Sequence, residues 1–66
     1  RHHMTITGAA GFEVRITDTF GRLIFTKTII GDKELLEVSG FSAGIYFLTF
    51  YKEEVAVLNK MVVVED

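Results

Sequence analysis

The chain has 66 residues, of which 48% are hydrophobic, and it contains neither cysteine nor proline. A domain of this size buries only about 60% of the surface that its unfolded chain exposes, so its stability is marginal and cannot come from disulfides. The net charge of −2, with both signs interspersed, disfavours nucleic-acid binding, and no apolar run approaches the ~20 residues of a membrane-spanning helix, which disfavours direct membrane insertion.

The first four residues, Arg-His-His-Met, have the sequence of a histidine-tag remnant. We therefore predict that residues 1–4 lie outside the fold and that one domain comprises residues 5–66. Thr5 to Thr7 predicts the end of a first strand, and the small residues from Gly8 to Gly11 predict a flexible link after it.

Strict alternation of apolar and polar residues follows this link. The apolar positions are Phe12, Val14 and Ile16, and the polar positions are Glu13, Arg15 and Thr17. Because successive side chains of a strand point to opposite faces, this alternation predicts a half-buried antiparallel strand.

The next segment predicts a reversal of the chain. Asp18 and Gly21 occupy the first and fourth positions favoured in a type I turn, where the carboxylate can cap backbone amides. Arg22 to Ile30 is rich in β-branched and aromatic residues, so it is predicted to pair back on the preceding strand. Gly31 to Lys33 is predicted to turn the chain again.

Glu34 to Val38 predicts a shorter strand, and Ser39 to Gly44, with two glycines and no periodicity, predicts a connection between sheets. Ile45 to Tyr51 is apolar on both faces apart from Thr49, which is typical of a central strand.

Lys52, Glu53 and Glu54 predict a charged hairpin tip, and Val55 to Val64 predicts the final strand. Because the two long apolar segments stop close to the end of the sequence, we predict that this end belongs to the core. Turns spaced about 8–12 residues apart predict an all-β fold, namely a small immunoglobulin-like antiparallel β-sandwich of about six to seven strands.

The residue types that carry catalysis do not form a plausible site. His2 and His3 are the only imidazoles and belong to the predicted tag. Ser39 and Ser42 therefore lack a base that would activate them as nucleophiles. We predict that the chain is not an enzyme and that it has no metal or cofactor site.

Two further candidates have simpler interpretations. Glu53 and Glu54 are adjacent, so on a strand they would point to opposite faces and not converge on a substrate. The aromatic run Tyr46, Phe47, Phe50 and Tyr51 could stack sugars or bases, but it alternates with aliphatic residues, which favours a place in the core.

Five residues carry a family resemblance: Asp18, Gly21, Gly44, Tyr46 and Lys60. A first strand leads into the acidic residue Asp18 and the glycine turn at Gly21. Gly44 and Tyr46 then belong to a Gly-x-Tyr strand, and Lys60 lies in a final apolar strand. In this layout residues 5–66 resemble the type A C-terminal sorting domain of the type IX secretion system. That family usually opens with a Tyr-Pro-Asn-Pro-like stretch, and since this chain has no proline we expect its opening strand to be truncated.

The resemblance implies a secretion signal at the end of a larger passenger protein from a Bacteroidetes-like Gram-negative bacterium. It implies that type IX translocon components recognise the domain in the periplasm and carry the passenger through the outer membrane. It also implies that a sortase-like cysteine protease then removes the domain, leaving the passenger attached to lipopolysaccharide at the cell surface or secreted.

As translocon-recognition residues we select, on this resemblance, Gly44, Tyr46, Lys60, Met61, Val62, Val63 and Val64. Each has a structural interpretation as well: a turn for Gly44, the core for Tyr46 and the sheet for the valines. Lys60 is the strongest candidate because it interrupts an apolar strand with an exposed charge, although charged gatekeepers do the same.

Two other functions remain open at this point. One is an immunoglobulin-like adhesion or carbohydrate-binding module, for which exposed aromatic residues would be the evidence, and the other is a structural oligomerisation domain. A truncated first strand would leave a sheet edge unpaired, so we also predict that the isolated chain forms a homodimer through a terminal strand.

Overall fold

The computed structural model describes residues 3–65, which form six β-strands and no helix. The strands are β1 (His3–Thr7), β2 (Glu13–Thr17), β3 (Leu23–Thr28), β4 (Lys33–Glu37), β5 (Gly44–Lys52) and β6 (Val55–Val64). They form two antiparallel sheets that pack on each other, so the prediction of a small all-β sandwich is confirmed.

The two sheets differ in size. One contains only β1 and β4, and the other has the order β3-β2-β5-β6. β5 therefore lies between two neighbours, as its apolar sequence predicts, and β2 pairs with both β3 and β5. β3 and β6 are the edges of the larger sheet.

The core lies between the facing surfaces of the two sheets. Alternation in β2 places Val14 and Ile16 inward, and both are 0% exposed. The other members of the core cluster are Ile6, Ala9, Ile29, Leu36, Tyr46, Leu48 and Phe50. The alternation predicted for β2 is thereby confirmed, with Glu13, Arg15 and Thr17 on the outer face.

β1 begins earlier than the sequence predicts. His3 pairs with Glu37 of β4, with its Nε2 2.9 Å from the carboxylate, and Met4 packs against the core. Two residues of the predicted tag remnant thus take part in the sheet, because pairing with β4 extends to the start of the described chain. Arg1 and His2 lie outside the described residues.

β6 corrects the expectation that the end of the sequence is core. It is an edge strand, and only Val62 and Val64 are half-buried while its other residues are exposed. An apolar sequence on both faces is typical of a buried strand, but here only one side of β6 is paired, and the two-stranded sheet is too narrow to cover it.

The turn between β2 and β3 has the predicted geometry. The carbonyl of Asp18 accepts a hydrogen bond from the Gly21 amide at 3.0 Å, and its carboxylate accepts from the amides of Phe20 and Arg22 at 2.9 and 3.0 Å. Partial desolvation of the carboxyl acts to raise the pKa of Asp18, but the hydrogen bonds together lower it by more. The pKa of Asp18 therefore lies below its ordinary value. Gly21 has φ +80°, which suits glycine at this position.

The turn between β5 and β6 is a two-residue loop. Glu53 and Glu54 both have positive φ, at 50° and 69°, as a type I′ turn requires. The predicted hairpin tip is therefore confirmed, and this turn fixes the register in which Lys52 faces Val55.

Candidate functional site

The seven residues selected from the sequence come together in the structure. β5 and β6 run antiparallel, so Gly44 faces Val64, Tyr46 faces Val62, and Leu48 faces Lys60. Residues 44–48 and 60–64 therefore form one end of the larger sheet, which the sequence alone did not reveal.

These seven residues do not share one face. Tyr46 is buried in the core, and Lys60, Val62 and Val64 lie on the same inward side because they pair with inward positions of β5. Met61 and Val63 lie on the outer face. Lys60 is exposed as predicted, but it lies on the side of β6 that faces the core, opposite the buried Leu48.

An apolar surface covers the outer face at this end of the sheet, and we call it the terminal patch. It consists of Leu23, Ile45, Phe47, Met61 and Val63. Met61 is 60% exposed, and Leu23 and Val63 are each 58% exposed. The strand register makes four of these residues contiguous, since Ile45 faces Val63 and Phe47 faces Met61. Leu23 lies on the same face, with Thr17 between it and Phe47.

Three of the five terminal-patch residues were not selected from the sequence. The apolar sequence of β5 predicts a two-sided core strand that includes Ile45 and Phe47, although their positions alternate with that of Tyr46. That alternation was the available signal, because residues next to an inward side chain must point outward.

The other half of the outer face is polar. Glu13 accepts hydrogen bonds from Arg15 Nη2 at 2.9 Å and from the Thr26 hydroxyl at 3.0 Å, and these bonds lower the pKa of Glu13. Nearby, the Asn59 amide donates to the Thr49 hydroxyl at 2.9 Å. The sheet face is therefore divided into a hydrogen-bonded polar half and the terminal patch.

The aromatic residues of β5 do not form an exposed stacking platform. Tyr46 and Phe50 are buried, and Phe47 and Tyr51 are half-buried on the outer face. The guanidinium of Arg15 lies 4.0 Å from the Tyr51 ring centre and covers it. This arrangement gives no support to the carbohydrate-binding alternative.

Tyr46 stabilises the connection that precedes β5. Its hydroxyl donates a hydrogen bond to the Ser42 carbonyl at 2.7 Å, and its ring lies 5.2 Å from that of Phe41. Tyr46 is 7% exposed, and these contacts give its side chain a structural role in the core and in this connection.

Gly44 starts β5 with φ +154°, a conformation that residues with a side chain rarely adopt, and a Cβ atom at this position would have no atom within 4 Å. We expect Gly44→Val to destabilise the domain by about 1–3 kcal/mol through backbone strain, not through a clash. Chemical denaturation monitored by circular dichroism measures this difference.

Gly40 provides the matched control in the same connection. A side chain there also meets open space, but its backbone is not in the glycine-favoured region. Gly40→Val should therefore cost much less than Gly44→Val. Equal effects of the two substitutions would contradict a conformational requirement at Gly44.

No group of three or more acidic, histidine or cysteine residues that could hold a metal is found within residues 3–65. The Ser39 hydroxyl donates to the Glu37 carboxylate at 2.6 Å in an exposed turn, and His3 Nε2 lies 2.9 Å from the other oxygen of the same carboxylate. The imidazole thus contacts the carboxylate and not the serine hydroxyl, which differs from the serine–histidine pair of a nucleophilic site. The described part of the chain has no helix that is long and apolar enough to cross a bilayer.

Comparison with known proteins gives one positive result. The family model described as secretion system C-terminal sorting domain matches residues 1–65. Neither the search of curated proteins nor that of solved structures gives a significant match.

Proposed function

Since this chain belongs to the family of secretion system C-terminal sorting domains, the sorting signals of type IX secretion, we propose that it directs a larger passenger protein across the outer membrane. The passenger would reach the cell surface or be released. Sorting domains are not an enzyme family, and the domain acts by being recognised.

The observation that supports this proposal beyond the family match is the terminal patch. Soluble monomers rarely leave contiguous apolar surface exposed without a function, and such patches often mark interaction sites. Here Met61 and Val63 are both more than half exposed, beside a polar half whose side chains are hydrogen-bonded to one another. The patch thus offers a translocon component a defined apolar contact.

The remaining steps of the proposal follow the family. The domain would be recognised in the periplasm by a type IX translocon component in a Bacteroidetes-like bacterium, and a sortase-like cysteine protease would remove it after translocation. Passenger attachment to lipopolysaccharide would complete the process. In this scheme Met61 and Val63 contact the receptor, while Gly44, Tyr46, Val62 and Val64 hold the strands that display them.

The test is export of a periplasmic reporter fused to this chain in a type IX-competent strain. We expect Met61→Asp to reduce surface delivery strongly, because a charge in the terminal patch would have to be desolvated on binding. Asn59→Asp is the matched control, since it lies two residues away on the same strand and outer face but in the polar half.

Both variants should keep the melting temperature of the parent within a few degrees, because both positions are exposed. Normal export of a folded Met61→Asp fusion would overturn recognition through the terminal patch. Loss of export by Asn59→Asp as well would show that the patch is not the specific element.

Within residues 3–65 one edge of β6 has no strand partner, and this edge supports the homodimer prediction. This strand is ten residues long, and Lys60 is its only charge, so it is weakly protected against pairing with another chain. We expect the isolated domain to form a twofold dimer through β6, seen by light scattering across a dilution series. A monomer at the highest concentration would contradict this, and Val63→Lys should favour the monomer.

A further inference from the structure

A groove of about 380 Å³ opens between the two sheets on the β6 side. Its floor is formed by the core residues Leu48 and Phe50 together with Phe12. One wall is β1, and the other is the inward side of β6, where Leu58, Lys60 and Val62 line it. The groove lies on the opposite side of the larger sheet from the terminal patch.

The β1 wall presents its backbone. Six consecutive positions, residues 4–9, line the groove, and residues 4–7 among them belong to β1, although successive side chains of a strand point to opposite faces. Consecutive lining positions mean that the edge of the strand faces the groove. The other edge of β1 pairs with β4, so within residues 3–65 this edge has no strand partner.

The β6 wall presents apolar side chains and one charge. Leu58 is 55% exposed because the two-stranded sheet does not extend over it, and Val62 is half-buried. Lys60 lies between them, and within residues 3–65 its ammonium group has no ion-pair partner. The remaining lining residues are apolar, glycine or threonine, so Lys60 is the groove's sole charge among them.

We propose that this groove binds an extended segment of a partner polypeptide as a third strand beside β1. Main-chain hydrogen bonds to β1 would supply affinity, as in other cases of strand addition. Alternate side chains of the segment would point at β6: apolar ones toward Leu58 and Val62, and an acidic one toward Lys60. This site is separate from the terminal patch, and its existence does not depend on export.

The charge of Lys60 favours such a partner over a second copy of the strand that lines the groove. The inward positions of β6 carry a lysine between Leu58 and Val62, so β6 of another copy would bring like charges together, which is unfavourable. A segment with an acidic residue between two apolar ones would place the acidic side chain at Lys60 and the apolar side chains at Leu58 and Val62. The groove therefore selects a segment with the inward pattern apolar, acidic, apolar.

Synthetic nine-residue peptides test this with the purified domain. The probe alternates threonine and valine and has glutamate in place of the central inward residue, and its matched partner has lysine there. We expect fluorescence anisotropy to show saturable binding of the glutamate peptide, at least about tenfold tighter than that of the lysine peptide. Two further glutamate peptides carry N-methyl groups on the backbone, one at alternate inward positions and the other at alternate outward positions. Because alternate amides of a strand point to opposite edges, one of the two peptides should lose its donors for β1 and not bind, whereas the other should bind.

Substitutions in the protein distinguish binding in the groove from a general effect of the protein's charge on the peptides. Lys60→Glu should reverse the preference between the two peptides, and Lys60→Gln should abolish it. Lys33→Glu, at an exposed lysine that does not line the groove, should leave the preference intact. Circular dichroism of each variant verifies the fold.

Three results would overturn the proposal. One is absence of saturable binding by the glutamate peptide, and another is equal binding by the two N-methylated peptides. The third is saturable binding of decanoate without binding of the glutamate peptide, which would make the groove a site for small amphiphilic anions. Each result is obtained without the secretion system, so it is independent of whether the domain directs export.

Discussion

Removing residues 60–66 should abolish export of a fused passenger. The deletion removes the partners of five β5 residues, from Gly44 facing Val64 to Leu48 facing Lys60. It also removes Met61 and Val63 from the terminal patch. We expect surface delivery of the reporter to fall to background, measured by protease accessibility on intact cells.

Loss of the strand end also affects the fold, because it uncovers Leu48 and an edge of the central strand. The unfolding transition of the truncated domain must therefore be measured beside its export. Lost export with an intact transition would place the recognition element within residues 60–66. Continued surface delivery by the truncated fusion would contradict the sorting function assigned to this end of the sheet.

Ile16→Ala should unfold most of the domain. Ile16 is 0% exposed and lies on β2, which joins β3 to the central β5. Truncating a buried isoleucine to alanine costs about 2–5 kcal/mol, and a core of this size rarely supplies more than about 3–5 kcal/mol. Thermal unfolding followed by circular dichroism measures the loss.

Ile30 gives the matched control for this substitution. It is 84% exposed, so Ile30→Ala should change the free energy of unfolding by no more than about 0.5 kcal/mol. Both variants keep the sequence of β6, which makes their export informative. If the folded patch is what the translocon recognises, only Ile16→Ala loses export, whereas normal export of the unfolded variant would point to recognition of a linear sequence.

The parts of the fold that depend on neighbours in the sequence were predictable. Alternation placed Val14 and Ile16 inward, because the period of a strand is local. Asp18 and Gly21 specified their turn through bonds within four residues. The central position of β5 followed from its apolar residues on both faces.

The features that depend on distant pairing were not predictable. β6 has a two-sided apolar pattern similar to that of β5, yet it is an edge, because strand order depends on long-range pairing that a local pattern does not encode. For the same reason the sequence predicts neither the inward position of Lys60 on β6 nor the groove that Lys60 lines. Leu23 joined the terminal patch only through the register of β2 with β3 and β5.

The two-residue turn at Glu53 and Glu54 has a consequence for the order of folding. β5 and β6 are the most locally connected strand pair, so closing their hairpin costs less loop entropy than bringing β2 to β5 or β1 to β4. A hairpin forms in about 1–10 μs but is only marginally stable alone. Four of the five terminal-patch residues belong to this hairpin, all except Leu23. These residues lie at the open end of the hairpin, so we expect the patch to form after the turn end has closed, and docking of β2 onto β5 to make it persist.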